Sequence, residues 1–131
     1  MSKTSILWLT LITVKSFYIV INVKFINTNT ISNKYKPSTV FGEFQINVFL
    51  NLYNLLHNLN IEIVNIDEYY YFKNRRWDLV FSNGLILKLP SKNMMGSIKI
   101  YKQLLDNESL SNTKIIDLRV INQIIMTNKS E

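Results

Sequence analysis

The sequence predicts an α+β fold: an antiparallel β-sheet with two helices packed on it. Three observations carry this prediction. Apolar residues recur at helical spacing in two stretches. Between and after these stretches, apolar and polar residues alternate as they do in strands. Asn83-Gly84 provides a strong hairpin signal. A chain of 131 residues that is 47% hydrophobic can bury the core of one such domain.

The apolar stretch from Ile6 to Val23 leaves three alternatives open. Its length approaches the roughly 20 residues of a spanning helix, although Lys15 near its middle opposes insertion. Its Ile, Val, Thr and aromatic residues suit two β-strands, and Lys3 followed by an apolar run suits a signal peptide. We therefore divide the chain into an apolar N-terminal segment, residues 1–26, which is a membrane-helix remnant or the first strands, and a main domain, residues 27–131.

An amphipathic helix of about four turns is predicted from Gln45 onward. Its apolar face carries Phe49, Leu52, Tyr53, Leu56 and Leu59, and asparagines occupy the other face. His57 also lies on this stretch. Because the chain has one His and no Cys, we interpret His57 as a partly exposed helix residue rather than a zinc ligand.

Strands are predicted next, at Ile61–Ile66 and Tyr69–Phe72, with Asp67-Glu68 interrupting them. The hairpin follows. Trp77, Leu79 and Phe81 alternate with more polar residues, Ser82-Asn83-Gly84 forms the turn, and a second strand runs from Leu85 to Leu89. Pro90 ends that strand because proline has no N–H for the ladder.

A second helix is predicted after Ser91, a candidate N-cap, because Ile98, Tyr101 and Leu105 recur at helical spacing. The last predicted strand covers Lys114–Val120, and Ile124–Thr127 extends it or pairs with it.

Composition argues against most catalytic chemistry. The sequence has no Cys, no G-x-S-x-G motif and only three glycines, which form no phosphate-binding loop. Asp67-Glu68 would point to opposite sides of a strand and could not cooperate as acid and base. We expect no enzyme activity, cofactor, metal ion or small-molecule substrate.

The net charge of +6 and the sequence pI of about 9.6 suggest an acidic partner. The lysines are scattered, however, and the abundance of Ile, Asn and Lys together with the absence of Ala indicates a compositional bias. We therefore expect no nucleic acid as partner, and a basic nucleic-acid-binding α+β module is the alternative function.

The three arginines, Arg75, Arg76 and Arg119, stand out in a chain that otherwise uses lysine. Arginine offers a planar fork suited to binding carboxylates, so these positions are candidates for partner binding. The strand that carries Arg119 is expected to lie at a sheet edge, where a partner strand can add to the unpaired backbone groups.

Four short motifs resemble the C-terminal β-domain of the bacterial FtsQ/DivIB cell-division family, especially its alphaproteobacterial members. They are Arg75–Leu79, Asn83-Gly84, Lys88–Pro90 and Asp117–Arg119. Phe41-Gly42-Glu43 is similar to the turn before the family's helix. The resemblance covers roughly residues 31–127, and too few residues precede Arg75 for a full POTRA domain, so a truncated member or an unrelated N-terminus is implied.

The resemblance implies a non-enzymatic scaffold of the divisome that acts in septum assembly. Such a protein sits in the inner membrane with its β-domain on the periplasmic side, and the N-terminal segment would supply the membrane association. FtsB-like and FtsL-like proteins would be its partners, bound by strand addition at the last strands. The implied partner-binding residues are Arg75, Arg76, Arg119 and Val120, where Val120 replaces an aromatic residue of some members. A non-functional gene fragment is the remaining alternative.

Overall fold

The computed structural model describes residues 5–15, 18–27, 38–107 and 109–130, the first two ranges through their backbone. The strands are β1 (Ser5–Lys15), β2 (Tyr18–Asn27), β3 (Ser38–Gly42), β4 (Ile66–Tyr71), β5 (Trp77–Phe81), β6 (Ile86–Lys88), β7 (Thr113–Asp117) and β8 (Ile125–Asn128). The helices are α1 (Ile46–Asn58) and α2 (Met94–Asn107), and a single 3₁₀ turn covers Ile63–Asn65.

The strands form one sheet in chain order from β1 to β8, so the predicted α+β class is confirmed. The sheet is mixed rather than wholly antiparallel. The pairs β3–β4 and β6–β7 are parallel, and all other neighbours are antiparallel. The physical reason is connectivity: α1 joins β3 to β4 and α2 joins β6 to β7, and a helical crossover brings the chain back in the same direction.

The N-terminal segment forms β1 and β2, which pair with each other, and β2 continues the sheet by pairing with β3. This is the strand alternative of the three considered for this segment. Within the described ranges, no helix combines the length and apolar character needed to cross a membrane. The boundary between residues 26 and 27 stays a prediction.

Both helices pack on the same face of the sheet, as predicted. Phe49, Leu52 and Leu56 of α1 and Ile98 and Tyr101 of α2 join the buried residues of the strands in one core cluster. The asparagines of α1 are poor helix formers, so burial of this apolar face rather than intrinsic propensity holds the helix.

Trp77 lies at the centre of an aromatic cluster in this core and is 1% exposed. Its ring centroid lies 4.8 Å from that of Tyr71, 5.5 Å from Phe44 and 6.1 Å from Phe49. Phe44 belongs to the turn before α1, so the cluster ties the start of that helix to β4 and β5.

The predicted interruption at Asp67-Glu68 is wrong. β4 runs through both residues, and the preceding Ile63–Asn65 forms a 3₁₀ turn instead of a strand. The β4–β5 register shifts between Ile66 and Glu68, which indicates a bulge at Asp67. A bulge adds one residue and changes the phase of the side chains, so Ile66 and Tyr69 are both buried.

The hairpin between β5 and β6 has a three-residue loop, Ser82–Gly84. The N–H of Gly84 donates to the carbonyl of Phe81 at 2.9 Å, and Gly84 alone in the loop has a positive φ, of 91°. β6 is shorter than the predicted strand Leu85–Leu89: Leu85 and Leu89 lie outside it. The β4–β5 hairpin has the same loop geometry, with Arg75 (φ 66°) in place of the glycine and its N–H donating to Phe72 at 2.9 Å.

The N-cap of α2 is Asn93 and not Ser91. The side-chain oxygen of Asn93 accepts the N–H of Gly96 at 3.3 Å, and the helix begins at Met94. Asparagine tolerates the positive φ of 53° that the chain adopts here, which sequence periodicity did not reveal.

Candidate functional site

Three charged residues lie side by side on three neighbouring strands of the sheet. Asp78 of β5 is in register with Lys88 of β6, and Lys88 is in register with Asp117 of β7. Their neighbours Leu79, Leu87 and Ile116 are buried under the helices. Because side chains alternate along a strand, this charged row (Asp78, Lys88, Asp117) lies on the opposite face of the sheet.

Arg119 extends the charged row by folding back onto Asp117. Its Nε donates to Oδ1 of Asp117 at 2.8 Å and its Nη2 donates to Oδ2 at 2.7 Å. These bonds from Arg119 hold the pKa of the Asp117 carboxyl below its usual range, and they raise the pKa of Arg119. The pair is a bidentate ion pair, the strongest geometry available to arginine and a carboxylate.

Asp78 and Arg76 lie on the same side of the sheet, at the start of β5. Burial raises the pKa of Asp78, and the charges of Lys88, Arg119 and Arg76 oppose that rise. The Nε atom of Arg76 is buried and has no hydrogen-bond partner among the described residues. A buried guanidinium N–H without a partner is costly. Arg76 as a residue is nevertheless partly exposed.

An open cavity of about 610 Å³ lies at this end of the sheet, where β6 and β7 end and α2 begins. Its lining includes three cationic side chains, from Arg76, Lys92 and Arg119, and none of the described residues that line it is acidic. Asn93, Gly96 and Ser97 contribute the first turn of α2 to the wall. The cavity can therefore receive a negatively charged group.

The rim of the cavity is apolar. Ile100, Val120, Ile121 and Ile124 line it, and all four side chains are substantially exposed, Ile121 to 84%. Exposed apolar residues clustered beside a charged pocket are typical of protein interfaces, whereas scattered ones need no explanation.

The sheet edge next to this cavity is β8, not the strand predicted to carry Arg119. Arg119 follows the end of β7, and β7 pairs with β8. All four residues of β8 are exposed, and the strand contains no proline, lysine or other residue that protects edges. The N–H of Lys129 donates to the carbonyl oxygen of Asn112. Because the backbone groups of successive residues face alternate sides of a strand, those of Met126 and Asn128 face away from β7.

The structure brings Arg76, Arg119 and Val120 together around the cavity but leaves Arg75 out of it. Arg75 is exposed and lies at the left-handed position of the β4–β5 loop. The roles of all four residues in partner binding stay predictions. Lys92 was not singled out from the sequence. The edge was predicted at the strand that carries Arg119, with Ile124–Thr127 extending or pairing with it, and the pairing alternative is the one observed.

The described part of the chain contains no group of three His, Asp or Glu side chains placed to hold a metal ion. The one His, His57, is exposed on α1, and its ring stacks on Tyr53 at 6.2 Å between centroids. These observations show no alternative site centred on His57.

A comparison with known protein families found a match. The family described as cell division protein FtsQ/DivIB, C-terminal, matches residues 21–119, from within β2 to Arg119. No curated protein matched the chain. The matched range contains both helices, the charged row and the Arg76 and Arg119 side of the cavity, but not Val120–Ile124 or β8. This family is one of division scaffolds rather than enzymes. The chain therefore belongs to the FtsQ/DivIB family of cell-division proteins and contains its C-terminal domain.

Proposed function

We propose that this domain is a divisome scaffold that acts in septum assembly, without catalytic activity, by binding FtsB-like and FtsL-like membrane proteins. A partner strand adds to the outer edge of β8, where no other described strand pairs, and a partner carboxylate enters the cavity between Arg76 and Arg119. The observation that carries the proposal is the position of the unprotected β8 edge beside three cationic side chains.

The edge supports strand addition because its backbone groups are available. The outward N–H and C=O groups of Met126 and Asn128 can pair with a partner strand as the inward groups of β8 pair with β7. An extended partner segment would lengthen the sheet, and its apolar side chains would contact Ile121 and Ile124 on the rim.

The charges favour an acidic side chain in that segment. Arg119 is paired with Asp117, whereas the Nε of Arg76 has no partner among the described residues. A carboxylate bound between the two arginines would pair with the part of the Arg76 side chain that lines the cavity and with the remaining N–H groups of Arg119.

We place the domain on the periplasmic side of the inner membrane, where the family's partners present their extended segments. Residues 5–15 and 18–27 form sheet strands, and membrane association through the N-terminal segment stays a prediction. Fusion of the chain to alkaline phosphatase, which is active only after export, tests the location, and an inactive fusion with normal protein levels would contradict it.

The first binding test uses charge reversal with a matched control. Arg76→Glu and Arg119→Glu are expected to weaken binding of an FtsB-like periplasmic segment by at least about tenfold each, since a buried charged contact contributes more than about 2 kcal/mol. Arg75→Glu makes the same charge change at an exposed loop residue outside the cavity lining and is expected to stay within about threefold of the wild type, because exposed charges contribute little. Isothermal titration calorimetry measures all three, and equal effects at Arg75 and Arg76 would reject the cavity as the site.

The second test addresses the edge. Met126→Pro removes an N–H that faces away from β7, so the sheet is expected to fold while strand addition is lost. Met126→Ala keeps the N–H and serves as the control. If the proline variant folds and binds the segment as tightly as the alanine variant, the partner does not add to β8.

Two alternatives have separate outcomes. A nucleic-acid-binding module would bind DNA at low salt with affinity falling steeply as salt increases, whereas the scaffold would not be retained on a DNA column. A non-functional fragment would be dispensable, so normal division of cells depleted of the chain would favour it, and filamentous growth would exclude it.

A further inference from the structure

The guanidinium of Arg119 is only partly used by the protein itself. An arginine side chain carries five N–H donors, and the pair with Asp117 uses one on Nε and one on Nη2. The side chain is 32% exposed and lines the cavity. The edge of the guanidinium formed by Nη1 and Nη2 therefore retains three N–H groups for another acceptor.

Asp117 is itself firmly placed. It is the last residue of β7, its side chain is 13% exposed, and it lies in register with Lys88 on the neighbouring strand. Its Oδ1 also accepts the backbone N–H of Arg119 at 3.0 Å, which fixes the turn that follows the strand. The carboxylate is thus anchored on the sheet and orients the arginine, rather than following it.

We propose that Asp117 is a positioning residue for partner recognition: it holds the Arg119 guanidinium by one edge and directs the Nη1–Nη2 edge into the cavity beside Arg76. This inference rests on the proposed function and names how its site is organised. Without Asp117, the long arginine side chain would have to be ordered when the partner binds, at a cost in affinity.

The direction in which partner affinity changes when Asp117 is replaced distinguishes a positioning role from electrostatic competition. Replacing Asp117 with Asn removes a negative charge next to the cavity, so Coulomb attraction alone would make an acidic partner bind more tightly. If the Asp117 carboxylate competed with the partner for Arg119, its removal would also make the partner bind more tightly, because Arg119 would be free. Only the positioning role predicts weaker binding after this substitution.

The test compares Asp117→Asn with two other variants, using the FtsB-like segment as the probe. We expect Asp117→Asn to weaken binding about three- to tenfold, the effect of ordering one long side chain. Asp117→Glu, which retains a carboxylate, should recover part of the loss. Asp106→Asn makes the same charge change at an exposed position near the end of α2, away from the cavity lining, and should leave affinity unchanged. Unchanged or tighter binding by Asp117→Asn would overturn the proposal.

A second measurement is made on the free protein. In ¹⁵N NMR spectra, the Nε–H of Arg119, assigned by its loss in Arg119→Lys, should exchange slowly with water in the wild type and rapidly in Asp117→Asn. Equal exchange in both would overturn the positioning role. If the wild-type chain binds no segment, the proposed function fails, and this measurement still decides whether Asp117 orders Arg119.

Discussion

Gly42, at the end of β3, should be among the positions least tolerant of a side chain. Its φ of 130° is one that L-residues rarely adopt, and a Cβ there would lie 2.7 Å from the carbonyl oxygen and 2.9 Å from the Cβ of Tyr71. We expect about 1–2 kcal/mol from the backbone conformation and about 1–3 kcal/mol from the forced contact. Gly42→Ala should therefore lower the free energy of unfolding by about 2–5 kcal/mol, a large share of a small domain's stability.

Gly84→Ala provides the matched control. Gly84 also has a positive φ, of 91°, but a Cβ there would meet nothing within 4 Å. In this variant the free energy of unfolding should fall only by the cost of the backbone conformation, about 1–2 kcal/mol. Urea unfolding followed by far-UV circular dichroism measures both variants. Equal losses would show that contact with Tyr71 does not constrain β3 and would refute the reasoning.

Three further predictions concern stability. Arg75→Gly should raise the free energy of unfolding by up to about 1 kcal/mol, because it relieves a left-handed conformation at an exposed loop residue. A loss in urea unfolding would contradict this. Tyr69→Phe should be stabilising by about 1 kcal/mol, because the buried hydroxyl has no hydrogen-bond partner among the described residues. A lower melting temperature would show that the hydroxyl is satisfied. The lowered pKa of Asp117 means that its stabilising effect is full above the unfolded-state pKa and is lost as pH falls through the folded-state pKa. The stability difference between wild type and Asp117→Asn, measured from pH 7 to pH 2, should shrink on acidification, and a constant difference would contradict the assignment.

The local pattern of the sequence determined most of the elements. The 3.6-residue period placed Phe49, Leu52 and Leu56 on the buried face of α1, and the two-residue period buried Trp77 and Phe81. These patterns succeed because burying an apolar face is the dominant stabilising term and depends on the order of residues along a single element. The sequence also contained motifs that resemble the family, and the family match over residues 21–119 confirmed the resemblance.

The sequence did not determine which strand forms the C-terminal edge of the sheet. A bulge at Asp67 changed the phase of β4, and the left-handed Asn93 moved the start of α2, because single-residue backbone choices depend on the surrounding packing. Two helical crossovers made part of the sheet parallel, which no periodicity could show.

Three arginines could be counted from the sequence, but only the fold distinguishes them. Arg75 lies in an exposed turn, Arg76 has a buried N–H without a partner among the described residues, and Arg119 is held by Asp117. The differences at Arg75 and Arg119 are local, since one lies in a hairpin loop and the other is held by a residue two positions earlier, whereas the burial of Arg76 depends on packing in the folded sheet. The sequence by itself therefore determined most of the elements and the family. The tertiary structure decided which strand forms the edge and how deeply each charged side chain is buried, because strand order and burial depend on pairing between segments far apart in the chain.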